Sequence, residues 1–121
     1  MEQADDMLKG MKDEQIKSLN DAISDINNMI KERTSLCNEI FTDIEKIKID
    51  INNFILDLGD DENKNEQLSL RQKQVEIEEV KLQEKINAWR DIAKLKEELR
   101  EKVQELHEKE SRASMLDTIL E

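Results

Sequence analysis

The chain has 121 residues and a formal net charge of −11, with no proline, two glycines and 40% charged residues. Glycine and proline supply most tight turns, phosphate-binding loops and strand corners, so this composition excludes most ways of building a catalytic domain. Proteins bind nucleic acids and anionic membranes mainly through lysine and arginine side chains. A chain with 30 acidic and 19 basic residues is therefore expected to bind neither directly.

The length and the single cysteine set further limits. About 120 residues are enough for one domain, and Cys37 alone cannot form an internal disulfide, which favours a reducing cytoplasmic or nuclear setting. The sequence contains no run of 18 apolar residues and no basic-then-apolar start. We therefore expect no direct membrane insertion and no secretory signal.

Residues 1–12 are predicted to form a flexible or docking tail. This segment contains Met7, Leu8 and Met11 and is interrupted by Gly10, a residue that weakens a helix. The last residues, 114–121, also place apolar side chains at helical spacing without a cap, which indicates either a docking end or a helix that continues.

A first long helix is predicted over residues 13–58. From Ile16 onwards, apolar residues recur in alternating steps of three and four, with Arg33 as the one polar break. A period of 3.5 residues keeps one seam turned towards a partner helix, as in a left-handed coiled coil. The predicted oligomer seam consists of Ile16, Leu19, Ile23, Ile26, Ile30, Ile40, Ile44, Ile47, Ile51, Phe54 and Leu58, with Cys37 among them.

A turn is predicted over residues 59–65. Gly59 can adopt the left-handed conformation that ends helices, and Asn63 followed by Glu66 resembles a capping box that opens the next one. The fold predicted is all-α: an elongated coiled coil, as a two-helix antiparallel hairpin that dimerises or joins a helical bundle. The alternative is one continuous parallel rod through Gly59, since a helix tolerates a single glycine at about 1 kcal/mol.

The second helix, residues 66–121, has two apolar faces between 68 and 93. We expect one face to pack on the first helix and the other on a different chain. Folding back near residue 62 would place Ile44 level with Val80, Phe54 with Leu70, and Cys37 with Trp89 or its neighbours. One face carries Leu68, Val75, Leu82, Ile86, Trp89 and Ala93; the other begins with Leu70, Ile77 and Val80 and continues towards the C-terminus.

No catalytic, cofactor or metal site is predicted, so we do not expect an enzyme. His107 is the only histidine and lies in a charged turn without converging ligands. Cys37 occupies a seam position and lacks a recognisable base or oxyanion site. The carboxylates read as a solvated helix face rather than as an acid–base pair in a cleft.

Two residues are candidates for specificity. Arg33 is predicted to fix the register or the choice of partner, since a polar group in a seam costs stability and restricts pairing. The alternative is that its side chain extends to solvent beside Glu32 or Glu39. Trp89 is predicted to be an interface anchor, with an ordinary core position as the alternative.

The string Ile30-Lys31-Glu32-Arg33-Thr34-Ser35-Leu36-Cys37 resembles the central arginine layer of vesicle-fusion SNARE helices. That resemblance implies a role in membrane trafficking, although the basic linker and membrane anchor of the family are missing from this sequence. In general character, two long acidic helices with isoleucine-rich heptads, the chain is similar to subunits of kinetochore, spindle-pole and tethering assemblies.

The function predicted is a non-enzymatic coiled-coil scaffold or adaptor that mediates protein–protein assembly, as in a cytoskeletal, kinetochore or spindle-type complex. Its partners would be further copies of itself or other helical proteins, giving a dimer of hairpins or a hetero-oligomer. A SNARE-like or tethering component in membrane trafficking is the alternative.

Overall fold

The structure, a computed structural model, describes residues 2–59 and 64–120 and all their side chains except those of Glu2, Gln3 and Asp5. It contains two helices, α1 (Glu2–Leu58) and α2 (Lys64–Leu120), and no strand within those residues. The helices pack against each other as a helical hairpin. The predicted all-α hairpin is therefore confirmed, and the continuous rod is wrong because α1 ends at Leu58. Supercoiling and dimerisation stay predictions.

The N-terminal segment differs from the prediction. Residues 2–12 belong to α1, and Gly10 lies inside the helix instead of interrupting it. A Cβ added at Gly10 would meet no atom within 4 Å. A glycine inside a helix costs about 0.5–1 kcal/mol relative to alanine, a cost that this long helix accommodates. A docking role for the segment stays a prediction.

Gly59 ends α1 with a backbone conformation that side chains disfavour. Its φ is +63°, and its N–H donates a hydrogen bond to the Leu56 carbonyl oxygen at 3.3 Å. The side-chain amide of Gln67 donates to the Gly59 carbonyl, and Glu66 lies in the first turn of α2, where the helix dipole favours a negative charge. The predicted cap at Asn63 lies outside the described residues.

Alanine substitutions at the two glycines are expected to have opposite signs. Gly59→Ala forces a Cβ into the left-handed region and should lower the free energy of unfolding by about 1 kcal/mol. Gly10→Ala should raise it by about 0.5 kcal/mol, because alanine favours a helix interior. Neither added Cβ meets another atom within 4 Å, so backbone preference alone is compared. Urea unfolding at one protein concentration measures both, and a Gly59→Ala variant as stable as wild type would contradict the turn.

Residues 32–92 form one compact unit, which we call the turn unit. Its buried residues, among those described, are Ile44 and Ile55 of α1 and Ala88 of α2. Two ion pairs join the helices, Glu45 with Lys81 at 2.6 Å and Lys48 with Glu78. The residue numbers of each pair total 126, as an antiparallel arrangement requires and close to the total of about 125 expected from a turn near residue 62.

Residues 1–31 and 93–121 form the second compact unit, the terminal unit. Ile26 is its one buried residue among those described, and Lys9 pairs with Asp117 across the helices, with Nζ and Oδ1 3.6 Å apart. Apolar residues of both helices surround this centre in half-buried positions: Ile16, Leu19, Ile23 and Ile30 from α1, and Leu95, Leu99, Leu106 and Leu116 from α2.

The predicted seam departs from the structure close to the turn. Ile47 and Phe54 are exposed, whereas Lys48 is half-buried and Ile55 is buried. Steps of about 3.6 residues, the true helical repeat, lead from Ile44 to positions 48, 51, 55 and 58. The predicted 3.5-residue repeat leads to 47 and 54 instead. The buried face of α1 therefore follows the helix geometry, and Ile47 and Phe54 are left outside it.

Candidate interaction surface

The most prominent surface feature of the turn unit is an apolar stripe along α2. Its residues lie within an arc of about 60° on a wheel of 100° per residue. Leu68 at its start is 65% exposed, and Trp89 at its end is 63% exposed. We call this surface the stripe; it consists of five exposed residues, Leu68, Val75, Leu82, Ile86 and Trp89.

The opposite side of α2 is more polar yet less exposed. Leu70 and Ile77 are half-buried there, but so are Gln67, Lys81 and Glu84. Apolar side chains normally take the buried side of a surface helix and polar ones the solvent side. Over this length, α2 turns its apolar stripe to the solvent and polar side chains towards the buried side. The described residues of the turn unit therefore leave this apolar surface uncovered.

This orientation corrects three contacts expected from the sequence. The level of the two helices agrees with expectation, but Phe54, Val80 and Trp89 are exposed. The expected pairs of Phe54 with Leu70 and Ile44 with Val80, and the pairing of Cys37 with Trp89 itself, are therefore not buried contacts, whereas the neighbouring Ala88 is buried. Residue numbering fixes the level at which two helices meet, whereas the rotation of each helix decides which side chains touch.

Trp89 carries a cation on its face. The Lys85 ammonium lies 4.9 Å from the centre of the indole ring, within the range of a cation–π interaction. This contact leaves most of the ring exposed. Trp89 is therefore not a core residue of the turn unit. Its role as an interface anchor stays a prediction.

Arg33 pairs with carboxylates of α2 rather than with Glu32 or Glu39. Its Nη1 lies 2.8 Å from Glu84 Oε1, and its Nε donates a hydrogen bond to Asp91 Oδ2 at 2.9 Å. The side chains of Arg33 and Glu84 are each 16% exposed. Their 2.8 Å contact is a close ion pair, but its geometry is not that of a hydrogen bond. Electrostatic attraction between the two charges therefore compensates for the burial of these two atoms.

These carboxylates keep Arg33 charged. Glu84 first, and then Asp91, raise the pKa of Arg33 further above its ordinary high value, against a smaller opposing effect of burial. The sequence pattern missed both partners as functional residues. The level expected for an antiparallel hairpin does place Arg33 opposite Ile92, one residue from Asp91, and that signal could have found the pair.

A second ionic cluster lies around Lys48. The Glu78 carboxylate raises the pKa of Lys48, with Glu45 adding to the effect. Glu45 contacts Lys81 at 2.6 Å and Lys48 at 3.5 Å, and the bond from Lys81 is the main cause that lowers the pKa of Glu45. The two clusters therefore consist of α1 cations facing α2 carboxylates, with one pair of reversed sign.

The pKa of Glu45 gives a direct test of the second cluster. We expect a value below the ordinary 4.5 by NMR titration, and a shift back towards 4.5 in Lys81→Gln. Because the folded pKa is lowered, the stability that Glu45 contributes is present above its unfolded pKa and is lost as the pH falls through the folded value. Gln83→Ala removes an exposed side chain of α2, the helix that carries Lys81, and should leave the titration of Glu45 unchanged. A Glu45 titration curve in Lys81→Gln that is identical to wild type would contradict the contact between Glu45 and Lys81.

The terminal unit also exposes apolar side chains. Met7 and Met11 of α1 and Met115 and Ile119 of α2 are more than half exposed. Methionine adapts to varied apolar partners, so these residues suit the docking ends expected from the sequence. That docking stays a prediction.

Side chains suited to other chemistry are not gathered in the described residues. Within residues 2–59 and 64–120, no three histidine, cysteine, aspartate or glutamate side chains are placed to hold a metal ion. His107 is exposed and Cys37 is half-buried. Over the same ranges, neither helix contains a stretch apolar enough to cross a bilayer.

Comparison with known proteins adds no relative to this description. The chain matches no protein-family model, no curated protein and no solved structure. Fold and surface thus define the class, a helical hairpin that exposes an apolar stripe, and function has to be argued from that surface.

Proposed function

We propose that this protein is a non-enzymatic scaffold or adaptor that joins assemblies through helix packing on the stripe. The observation that carries this proposal is the orientation of α2, which exposes Leu82 and Trp89 while Lys81 and Glu84 are half-buried. A contiguous exposed apolar surface usually marks a site of protein or membrane contact. The acidic charge of the chain disfavours the membrane surface, which leaves a protein partner.

The size of the stripe supports this proposal. With the exposed fractions of its five residues, the stripe presents roughly 500 Å² of apolar surface. At about 25 cal/mol per Å², its burial contributes about 12 kcal/mol before the costs of association. Those costs consume about 4–15 kcal/mol, so a partner needs most of the stripe to bind well.

The helical form of the stripe indicates how a partner binds. Leu68, Val75, Leu82 and Trp89 recur every seven residues, the spacing with which one helix packs along another. Trp89 is the residue type most often found among binding hot spots. We therefore expect the partner to present an apolar helix, with Trp89 as an anchor.

The structure supplies less support for the membrane-trafficking alternative. The resemblance to SNARE helices depends on Arg33, and this guanidinium is already engaged by Glu84 and Asp91 of the same chain. An arginine satisfied inside the hairpin is not free to form a polar layer with other chains. The scaffold proposal needs no such layer.

Affinity purification from cells that make this protein tests the proposal. Leu82→Glu places a charge in the stripe, and we expect it to lose the proteins that co-purify with wild type. Leu56→Glu is the control, because Leu56 is an exposed leucine outside the stripe, at 70% against 59% for Leu82. Its variant should retain the co-purifying proteins. Identical co-purifying proteins for both variants, or none for wild type, would contradict a role of the stripe in assembly.

A further inference from the structure

We propose that the stripe binds a second copy of this chain, with the two stripes packed antiparallel about a two-fold axis. This inference rests on the proposed function and names its partner. A two-fold contact uses the same surface on both copies, so a self-complementary stripe is what the inference requires. Area, charge and residue order each address that requirement.

The area suffices for a stable pair. Two stripes of roughly 500 Å² each bury about 1,000 Å² of apolar surface, the size that a specific interface has to reach. Neighbouring side chains between the stripe residues add to this total. The stripe extends about 32 Å along α2 from Leu68 to Trp89, at 1.5 Å per residue, so a partner that covers it has to present an apolar face of similar length.

The net charge of the segment that carries the stripe does not oppose self-association. Residues 64–91 contain six basic and six acidic residues, whereas the whole chain has a net charge of −11. Two copies that meet through an acidic surface would repel each other, since like charges across an interface cost affinity. The α2 segment that carries the stripe has no net charge, so the overall repulsion between two copies is weaker where the stripes meet.

Residue order favours the antiparallel direction. The pair Leu68 and Trp89 and the pair Val75 and Leu82 share one midpoint, which lies between residues 78 and 79 of α2. An antiparallel pair centred on that midpoint therefore aligns Leu68 of one copy with Trp89 of the other, and Val75 with Leu82. A large side chain then faces a smaller one, which suits close packing. A parallel pair would instead stack the two Trp89 rings and oppose identical charges along the whole segment.

Two valine variants test the surface. Val75 belongs to the stripe and is 59% exposed, whereas Val80 is 58% exposed and lies about 140° away around the same helix. By light scattering, purified wild type should have twice the 14.2 kDa mass of one chain. Val75→Glu should raise the dissociation constant at least about tenfold, since it buries an unpaired charge, and Val80→Glu should leave it unchanged. Circular dichroism verifies folding, and Trp89→Ala serves as the second stripe variant.

Crosslinking tests the direction. In a Cys37→Ser background, Glu79→Cys and Gln72→Cys each place one thiol beside the stripe, at the midpoint and seven residues before it. In the antiparallel pair, two midpoint thiols lie nearly level, while thiols at position 72 lie about 20 Å apart along the axis. A short bismaleimide should therefore join copies of Glu79→Cys and not copies of Gln72→Cys. Crosslinking of both variants would show parallel packing and overturn the antiparallel arrangement.

The outcomes separate this inference from the proposed function. A monomeric wild type at tens of micromolar, a mass above that of a dimer, or equal effects of Val75→Glu and Val80→Glu would each overturn self-association through the stripe. If Leu82→Glu still loses a different co-purifying protein in that case, the scaffold proposal stands with another partner. If neither experiment responds to stripe variants, both proposals are wrong.

Discussion

Ile44→Ala is expected to lower the free energy of unfolding by about 2–4 kcal/mol. Ile44 is 5% exposed and lies at the centre of the turn unit. Truncating a buried isoleucine loses the transfer free energy of its methyl and methylene groups, and the cavity left behind adds to the loss. Only three of the described residues of this unit are buried, so truncating one of them removes much of the apolar packing that stabilises the unit.

Ile49→Ala is the matched control for this prediction. Ile49 is the same residue type in the same helix, five residues further on, but it is 59% exposed. Its truncation should change the free energy of unfolding by no more than about 0.5 kcal/mol. Urea unfolding of both variants at one protein concentration, followed by circular dichroism, measures the difference. Equal losses would show that Ile44 is not the buried centre of this unit.

The sequence allowed the existence and the level of the helices to be predicted. Regular apolar spacing indicated two long helices, and Gly59 indicated the point of reversal; φ of +63° there shows why a glycine suits the position. The hairpin also follows from these two features, because a chain that reverses at Gly59 must pair residues at a constant total. These predictions rest on local backbone preferences, which act within a few residues.

The rotation of α2 could not be predicted in the same way. Both faces of this helix are apolar between Leu68 and Trp89, so periodicity alone does not decide which face packs on α1. The decision depends on side chains distant in sequence, such as Arg33 with Glu84. Similarly, the shift from Phe54 to Ile55 depends on the difference between 3.5 and 3.6 residues per turn, which grows over several heptads.

The ion pairs explain why α2 exposes its more apolar face. Arg33 and Lys48 lie on the half-buried side of α1, where a cation without a partner is costly. Glu84, Asp91 and Glu78 of α2 meet these cations. Turning α2 to bury the stripe would separate the charges. We therefore expect the two α1 cations to influence the orientation of α2, whereas the role of Arg33 in register or partner choice stays a prediction.

Removing both cations is expected to turn α2 and bury its stripe. In the double variant Arg33→Leu with Lys48→Leu, the carboxylates of α2 lose their partners on α1, and two leucines attract the apolar face. The free energy of unfolding should stay close to that of wild type, since a turned α2 would carry its carboxylates into solvent instead of leaving them buried without partners. The change in orientation, however, should be complete.

Trp89, the only tryptophan, reports this change. Its ring is 63% exposed in the wild-type orientation, so acrylamide should quench its fluorescence readily. In the double variant we expect a blue-shifted emission and several-fold weaker quenching, because the ring would lie between the helices. The measurement is made at dilutions where light scattering gives a monomeric mass, so that burial against a second copy does not contribute.

Lys46→Leu is the control, because it adds an apolar side chain at an exposed lysine of the same helix that makes no selecting contact with α2. Its Trp89 fluorescence should match wild type. If the double variant also keeps an exposed Trp89 while its stability is unchanged, the cations do not choose the face of α2. Apolar packing around Ile44 and Ala88 would then determine which face of α2 is exposed. The ion pairs between the helices would not contribute to that choice.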